Sequence, residues 1–116
     1  MKSKILALSK NEEFKNLLKK KKISNKYVTI FFGVLSNKKI SNLNISFVTK
    51  KKIGNAVKRN KIRRKLKAIV QKLLKKRGAI SKDYTYIVFG KPNAYTQKQT
   101  VLMPLMEKSF NKIKDK

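Results

Sequence analysis

The spacing of hydrophobic positions along this chain switches between helical and strand periods, and the switches predict its elements. Phe14, Leu17 and Leu18 recur at i, i+3 and i+4, one face of a helix. Ser9-Lys10-Asn11-Glu12 has the spacing of a capping box for its start. Glu12 and Glu13 in the first turn and Lys19 to Lys22 in the last both suit the helix dipole, so this helix is predicted to end before Ser24-Asn25. Tyr27 to Leu35 is rich in β-branched and aromatic residues and reads as a strand. Ser36-Asn37-Lys38-Lys39 is the next turn, after which Leu43, Ile45 and Phe47 alternate with Asn42, Asn44 and Ser46, a strand with one buried face. A hairpin is the simplest pairing of the two strands.

The helical period then returns. Ile62, Leu66, Ile69, Val70, Leu73 and Leu74 form a stripe about 100° wide. Between Gly54 and Gly78 the predicted helix runs from Asn55 to Arg77, about 34 Å at 1.5 Å per residue. Asp83 to Gly90 reads as a strand, and Val101, Leu102, Leu105, Met106, Phe110 and Ile113 mark a C-terminal helix. Pro104 inside that pattern requires the helix either to kink or to start later. The order is α-β-β-α-β-α, an α+β chain in a single domain over residues 1–116.

Charge changes this picture more than length does. Lys and Arg number 32 against 5 Asp and Glu, a formal net charge of +27 in 116 residues. From Phe14 to Lys82 there are 69 positions, 23 of them Lys or Arg, and no acid. Such a surface calls for a polyanion. With 41% hydrophobic residues the chain is not expected to be disordered. No apolar run reaches the ~18 residues of a membrane span. The basic start followed by Ile5-Leu6-Ala7-Leu8 is too short for a signal peptide, so a cytoplasmic location is expected.

Composition also narrows the chemistry. With no Cys and no His, the chain has no disulfide framework, no Cys/His zinc site and no histidine acid/base pair. The acids Glu12, Glu13, Asp83, Glu107 and Asp115 are too scattered to suggest a carboxylate pair or a two-metal site. The concentrated signal is cationic: Lys50 to Arg77 holds 14 Lys or Arg in 28 residues. A merely solvated helix face normally mixes signs, and this one has no acid. The chain has 28 Lys but only four Arg, and Arg59, Arg63, Arg64 and Arg77 all fall in this predicted helix. Such selective use of the planar, bidentate cation points to phosphate or base contact.

On the helical wheel Asn60, Arg63, Arg64 and Lys67 cluster on a flank and the outer face. Arg59 projects on the stripe side, one turn before the apolar run. Gly54-Asn55 either offers the helix N-terminus to a phosphate or only turns the chain. Of the aromatic residues, Phe31 and Phe32 are adjacent on a strand, so one of them faces away from the core if the strand is regular. Such rings can stack unpaired bases, although the ordinary role of a strand aromatic is core.

The run Lys51-Lys52-Ile53-Gly54-Asn55-Ala56-Val57-Lys58-Arg59-Asn60-Lys61-Ile62-Arg63-Arg64 resembles the signature of the bacterial ribonuclease P protein subunit. The Asn11-Glu12-Glu13-Phe14 start and the Asp83-Tyr84…Lys91-Pro92 strand exit match in kind and order. The resemblance implies an α-β sandwich similar to domain 2 of ribosomal protein S5, with a left-handed β-α-β crossover through the basic helix. It implies a small protein partner of a catalytic RNA subunit that holds Mg²⁺ and removes the 5′ leader of precursor tRNA, with neither a DNA nor a membrane partner. Lys51, Lys52, Asn55, Arg59, Asn60, Lys61, Arg63, Arg64 and Lys67 would then face the RNA subunit. Phe14, Leu18, Ile30, Phe31 and Lys58 would belong to a cleft for the single-stranded leader, with Ile30 and Phe31 competing for its strand aromatic.

Departures from the family pattern are specific. Lys61 replaces an Arg and loses its bidentate fork. Leu18 stands where Phe is usual, and Gly90-Lys91-Pro92 stands where Arg-containing exits are common. No protein side chain is expected to be catalytic or to bind metal. The alternative from another class is a basic ribosomal protein that binds rRNA, and an autonomous nuclease fits the composition poorly.

Overall fold

The computed structural model describes residues 5–6, 11–33, 43–76, 78–81 and 84–114. The elements are β1 (Ile5–Leu6), α1 (Asn11–Leu18), β2 (Lys21–Ser24), β3 (Val28–Gly33), β4 (Leu43–Val48), α2 (Ala56–Leu73), β5 (Thr85–Gly90) and α3 (Gln99–Lys114). Short 3₁₀ turns at Lys51–Ile53 and Pro92–Ala94 lead into α2 and α3. The capping residue Ser9, the turn at 36–39, Arg77 and Asp83 lie outside the described residues, as do the side chains of Glu12, Glu13 and Phe14.

The five strands are ordered β1-β4-β5-β3-β2. The expected β3–β4 hairpin is therefore incorrect. β5 lies between them, antiparallel to β3 and parallel to β4, with α2 making the β4-α2-β5 crossover. Five of the six β5 residues are buried, across both faces of the strand, and a strand apolar on both faces belongs inside a sheet.

The first helix is also shorter than its lysine run suggests. It ends at Leu18, and Lys21–Ser24 forms an edge strand paired from Lys21↔Phe32 to Ser24↔Thr29. Asn25 makes the reversal: its Oδ1 accepts from the backbone N–H of Tyr27 at 2.8 Å and of Val28 at 3.0 Å. This side chain to backbone turn competes with helix continuation, and lysines on an edge strand discourage pairing with another chain.

Register sorts the side chains. Val28, Ile30, Phe32, Leu43, Ile45, Tyr86 and Val88 share a face with the buried stripe of α2 and with Leu102, Met106, Phe110 and Ile113 of α3. Tyr86 meets Phe110 edge to face, centroids 5.3 Å apart, and each fully buried aliphatic side chain here is worth about 1.5–3 kcal/mol. α3 runs through Pro104 as helix. The opposite face carries Thr29, Phe31, Gly33, Ser46, Val48, Ile87 and Phe89. There α1 touches β3 and β5, with Leu17 buried, and Thr29, Phe31, Ser46, Val48 and Phe89 stay half-buried.

Candidate nucleic-acid interface

The basic helix begins where Asn55 caps it, its Oδ1 accepting from the Lys58 N–H at 2.9 Å. Ile62, Leu66, Ile69, Val70 and Leu73 are buried. The opposite arc, with Asn60, Arg64 and Lys67, is exposed, as are Lys51, Lys52 and Asn55 just before it. α2 ends at Leu73, so it carries three of the four arginines, and Arg77 lies outside the described residues.

The three arginines have different environments. Arg63 is half-buried. It donates from Nη1 to Thr49 Oγ1 at 3.0 Å and from Nη2 to Asn60 Oδ1. It thereby links α2 to the end of β4, and its guanidinium is held in one orientation. The Arg59 Nε is buried and has no hydrogen-bond partner among the described residues. A buried N–H without an acceptor is costly. Arg64 is exposed and free to extend.

The other flank of α2 faces the turn before α3. Lys65 donates from Nζ to the carbonyls of Ala94 at 3.0 Å, Tyr95 at 2.8 Å and Gln97 at 2.6 Å. Burial, with the nearby Lys61 charge, lowers its pKa below the usual lysine value. Lys58 places its ammonium 5.0 Å from the Tyr95 ring centroid. Lys58 thus sits beside Tyr95, while the lysine over the Phe31 ring is Lys22.

The second surface is the sheet face on which α1 packs, part of which the described residues leave uncovered. Phe31 and Phe89 meet edge to face with centroids 5.5 Å apart. Lys22 Nζ lies 5.8 Å from the Phe31 centroid. Lys91 Nζ donates to Ser24 Oγ at 2.9 Å and to the Asn25 carbonyl at 2.6 Å, which brings another cation to this end of β2. The side of the sheet covered by α1 therefore combines two half-buried rings with basic and hydroxyl groups.

Of the two expected strand residues, only Phe31 lies on this face. Ile30 is fully buried under the helices, because neighbours on a strand point to opposite faces, and that expectation is corrected. α1, which bears Phe14 and Leu18, lies on the same side as Phe31, with Leu18 half-buried. Phe89, Lys22 and Lys91 escaped the sequence reading. The alternation in β5 puts Phe89 opposite Tyr86 and Val88, but with both faces apolar it could not show which was open. Lys22 was assigned to a helix.

Among the described residues no group of three or more His, Cys, Asp or Glu could hold a metal ion. The two surfaces lie on opposite sides of one sheet, a guanidinium-bearing helix and an aromatic, basic face. Both suit a ligand with phosphates, and the second suits unpaired bases.

Comparison with known proteins agrees. A family profile for ribonuclease P matches residues 3–114. The ribonuclease P protein component of Mycoplasma capricolum is 32% identical over 108 residues, covering 92% of this chain and 94% of that protein. That of Mycoplasmopsis synoviae is 43% identical over 67 residues, and the match spans 57% of this chain and only 55% of the relative. Among solved structures, the Staphylococcus aureus RNase P protein superposes with a TM-score of 0.72 at 25% identity, covering 93% of this chain and 94% of that one. The Thermotoga maritima RNase P protein shares the fold at 19% identity, with a TM-score of 0.72 over 90% of this chain and 96% of its own. None of these supports the ribosomal alternative. The arginine helix, the sheet order and the relatives together place this chain in the ribonuclease P protein family.

Proposed function

We propose that this chain is the non-catalytic protein subunit of a cytoplasmic ribonucleoprotein whose RNA removes the 5′ leader from precursor tRNA. The observation that carries this reading is the placement of two different RNA-suited surfaces on opposite sides of one sheet. The α2 side, with Arg59, Asn60, Arg63, Arg64 and Lys67 and the preceding Lys51 and Lys52, faces the RNA subunit. The face with Phe31 and Phe89 takes the single-stranded leader.

The chain contributes binding and orientation. Lysines lower the repulsion between two RNAs that must approach each other. Arg63, already held by Thr49 and Asn60, meets phosphate with little loss of side-chain freedom. A leader base on the Phe31 ring gains roughly 1–3 kcal/mol by stacking, and Lys22 and Lys91 are near enough to attract its phosphates. Mg²⁺ supplies Lewis-acid and water-activating chemistry and is held by the RNA.

Reconstitution tests this reading. Added to its RNA at low Mg²⁺, the protein should increase 5′ cleavage of precursor tRNA. No increase with the cognate RNA would sink the proposal, and co-sedimentation with a ribosomal subunit at high salt would favour the ribosomal alternative. Phe31→Ala should weaken leader-bearing substrate by about tenfold, the value of one stacked base, and leave mature tRNA unchanged. Equal loss for both, with a lower melting temperature, would mark the ring as core.

A further inference from the structure

Tyr95 and the lysine flank of α2 form a surface that adjoins the arginine side of the helix and adds an aromatic ring to it. The Tyr95 ring is partly buried against the core, and the Nζ atoms of Lys58 and Lys61 lie 5.0 and 4.9 Å from its centroid. Lys65 binds three carbonyls of the same turn, including that of Tyr95 itself. This anchors the turn and fixes the ring relative to the helix. The only ion pair among the described residues is Lys76 with Glu107, so among these residues Lys58 and Lys61 have the ring but no carboxylate as counterpart.

Lysines that only needed solvation would spread into water, away from one another. Here two ammonium groups converge on an aromatic ring beside a third that is partly desolvated. A fixed ring with two mobile cations suits an unpaired nucleotide, the base stacking on the ring while the ammonium groups move to its phosphate. At 100° per residue Lys61 projects about 160° from Arg63 but only about 60° from Arg64, so the Tyr95 site adjoins the arginine surface at Arg64 and extends it around the helix.

We infer that Tyr95, Lys58 and Lys61 form a further single-stranded RNA site, occupied by an unpaired nucleotide of the RNA subunit or of the precursor tRNA. This rests on the reading of the chain as an RNA-binding subunit. The chain has no Trp, so Tyr95→Trp makes a single-tryptophan reporter in the full-length protein, and Phe31→Trp makes a matching reporter on the sheet face on which α1 packs. With an unstructured oligoadenylate at low salt, fluorescence at position 95 should be quenched. Adding Lys58→Gln and Lys61→Gln should weaken that binding and make its salt slope shallower by about 0.7 per lysine.

Quenching on addition of the RNA subunit alone assigns the nucleotide to that RNA, and quenching only on later addition of precursor tRNA assigns it to the substrate. If position 31 responds and position 95 stays silent to all three RNAs, the Tyr95 site is wrong and the RNA reading survives. If neither reporter responds, the RNA reading fails as well. As a check that does not depend on seating Trp, Tyr95→Leu should weaken oligoadenylate binding about tenfold and Tyr95→Phe should preserve it. Equal affinity for wild type and Tyr95→Leu would overturn the site.

Discussion

An Arg63→Ala/Arg64→Ala double variant should bind the RNA subunit roughly 100-fold more weakly or worse, since a hydrogen bond to a charged group is worth about 1.5–3 kcal/mol. Its log affinity against log salt should be shallower by about 1.8 units, because each lost phosphate contact removes about 0.9. The single variants should separate by stability. Arg64 is exposed, so Arg64→Ala should leave the melting temperature unchanged. Arg63 holds the buried Thr49 hydroxyl, so Arg63→Ala should also cost about 1 kcal/mol of folding stability. Arg63→Lys should keep much of the salt dependence and lose affinity, since it preserves charge without the planar fork. Filter binding across a salt series measures all of these, and an unchanged slope in both alanine variants would remove α2 from the interface.

Gly90→Ala should destabilise the protein and loosen RNA binding from a position that touches no RNA. A Cβ on Gly90 would lie 2.5 Å from Ile62 Cγ2 and 3.1 Å from Leu66 Cδ1. Both side chains are fully buried on the face by which α2 packs on the sheet, so the added methyl must push the helix away from β5. Overpacking of this kind costs about 1–3 kcal/mol, or roughly 5–15 °C in a domain of this size. It would also move Arg63 relative to Thr49 at the end of β4.

Ile62→Ala alone should cost about 2–5 kcal/mol by leaving a cavity. The double variant should cost less than the sum, because the new methyl enters the space that Cγ2 vacated. Chemical denaturation of the four proteins closes the cycle. Strict additivity would show that α2 does not rest on Gly90. Gly78→Ala is an informative comparison: no atom lies within 4 Å of its added Cβ, while its φ of 76° is strained for alanine. It should cost about 1–2 kcal/mol without altering RNA affinity.

Gly90 also shows how a legible residue can carry an illegible reason. Its place at the strand exit is plain in the sequence. The cause is the close approach of α2, which involves residues 28 and 24 positions earlier. Phe31 and Ile30 make the same point about the site. Alternation requires that they face opposite ways, but only the packing of α2 and α3 against Ile30 decides which of the two is open.

By itself the sequence determined the basic helix, its buried stripe and the separation of Arg63 and Arg64 from that stripe, together with the family. These rest on helical periodicity and a contiguous motif, both local along the chain. Only the tertiary structure decided the partners. Tyr27 to Leu35 and Leu43 to Phe47 read as neighbours because they are consecutive, but β5, apolar on both faces, gains more burial between them than at an edge. Lys21–Ser24 carries no strand periodicity of its own and becomes β2 through the Asn25 turn and its pairing with β3. Tyr95, in an irregular turn, acquires its cationic surroundings only when α2 and the β5–α3 connection come together. Strand partners and sites assembled across elements depend on which surfaces bury each other, and that energy is defined only for the whole fold.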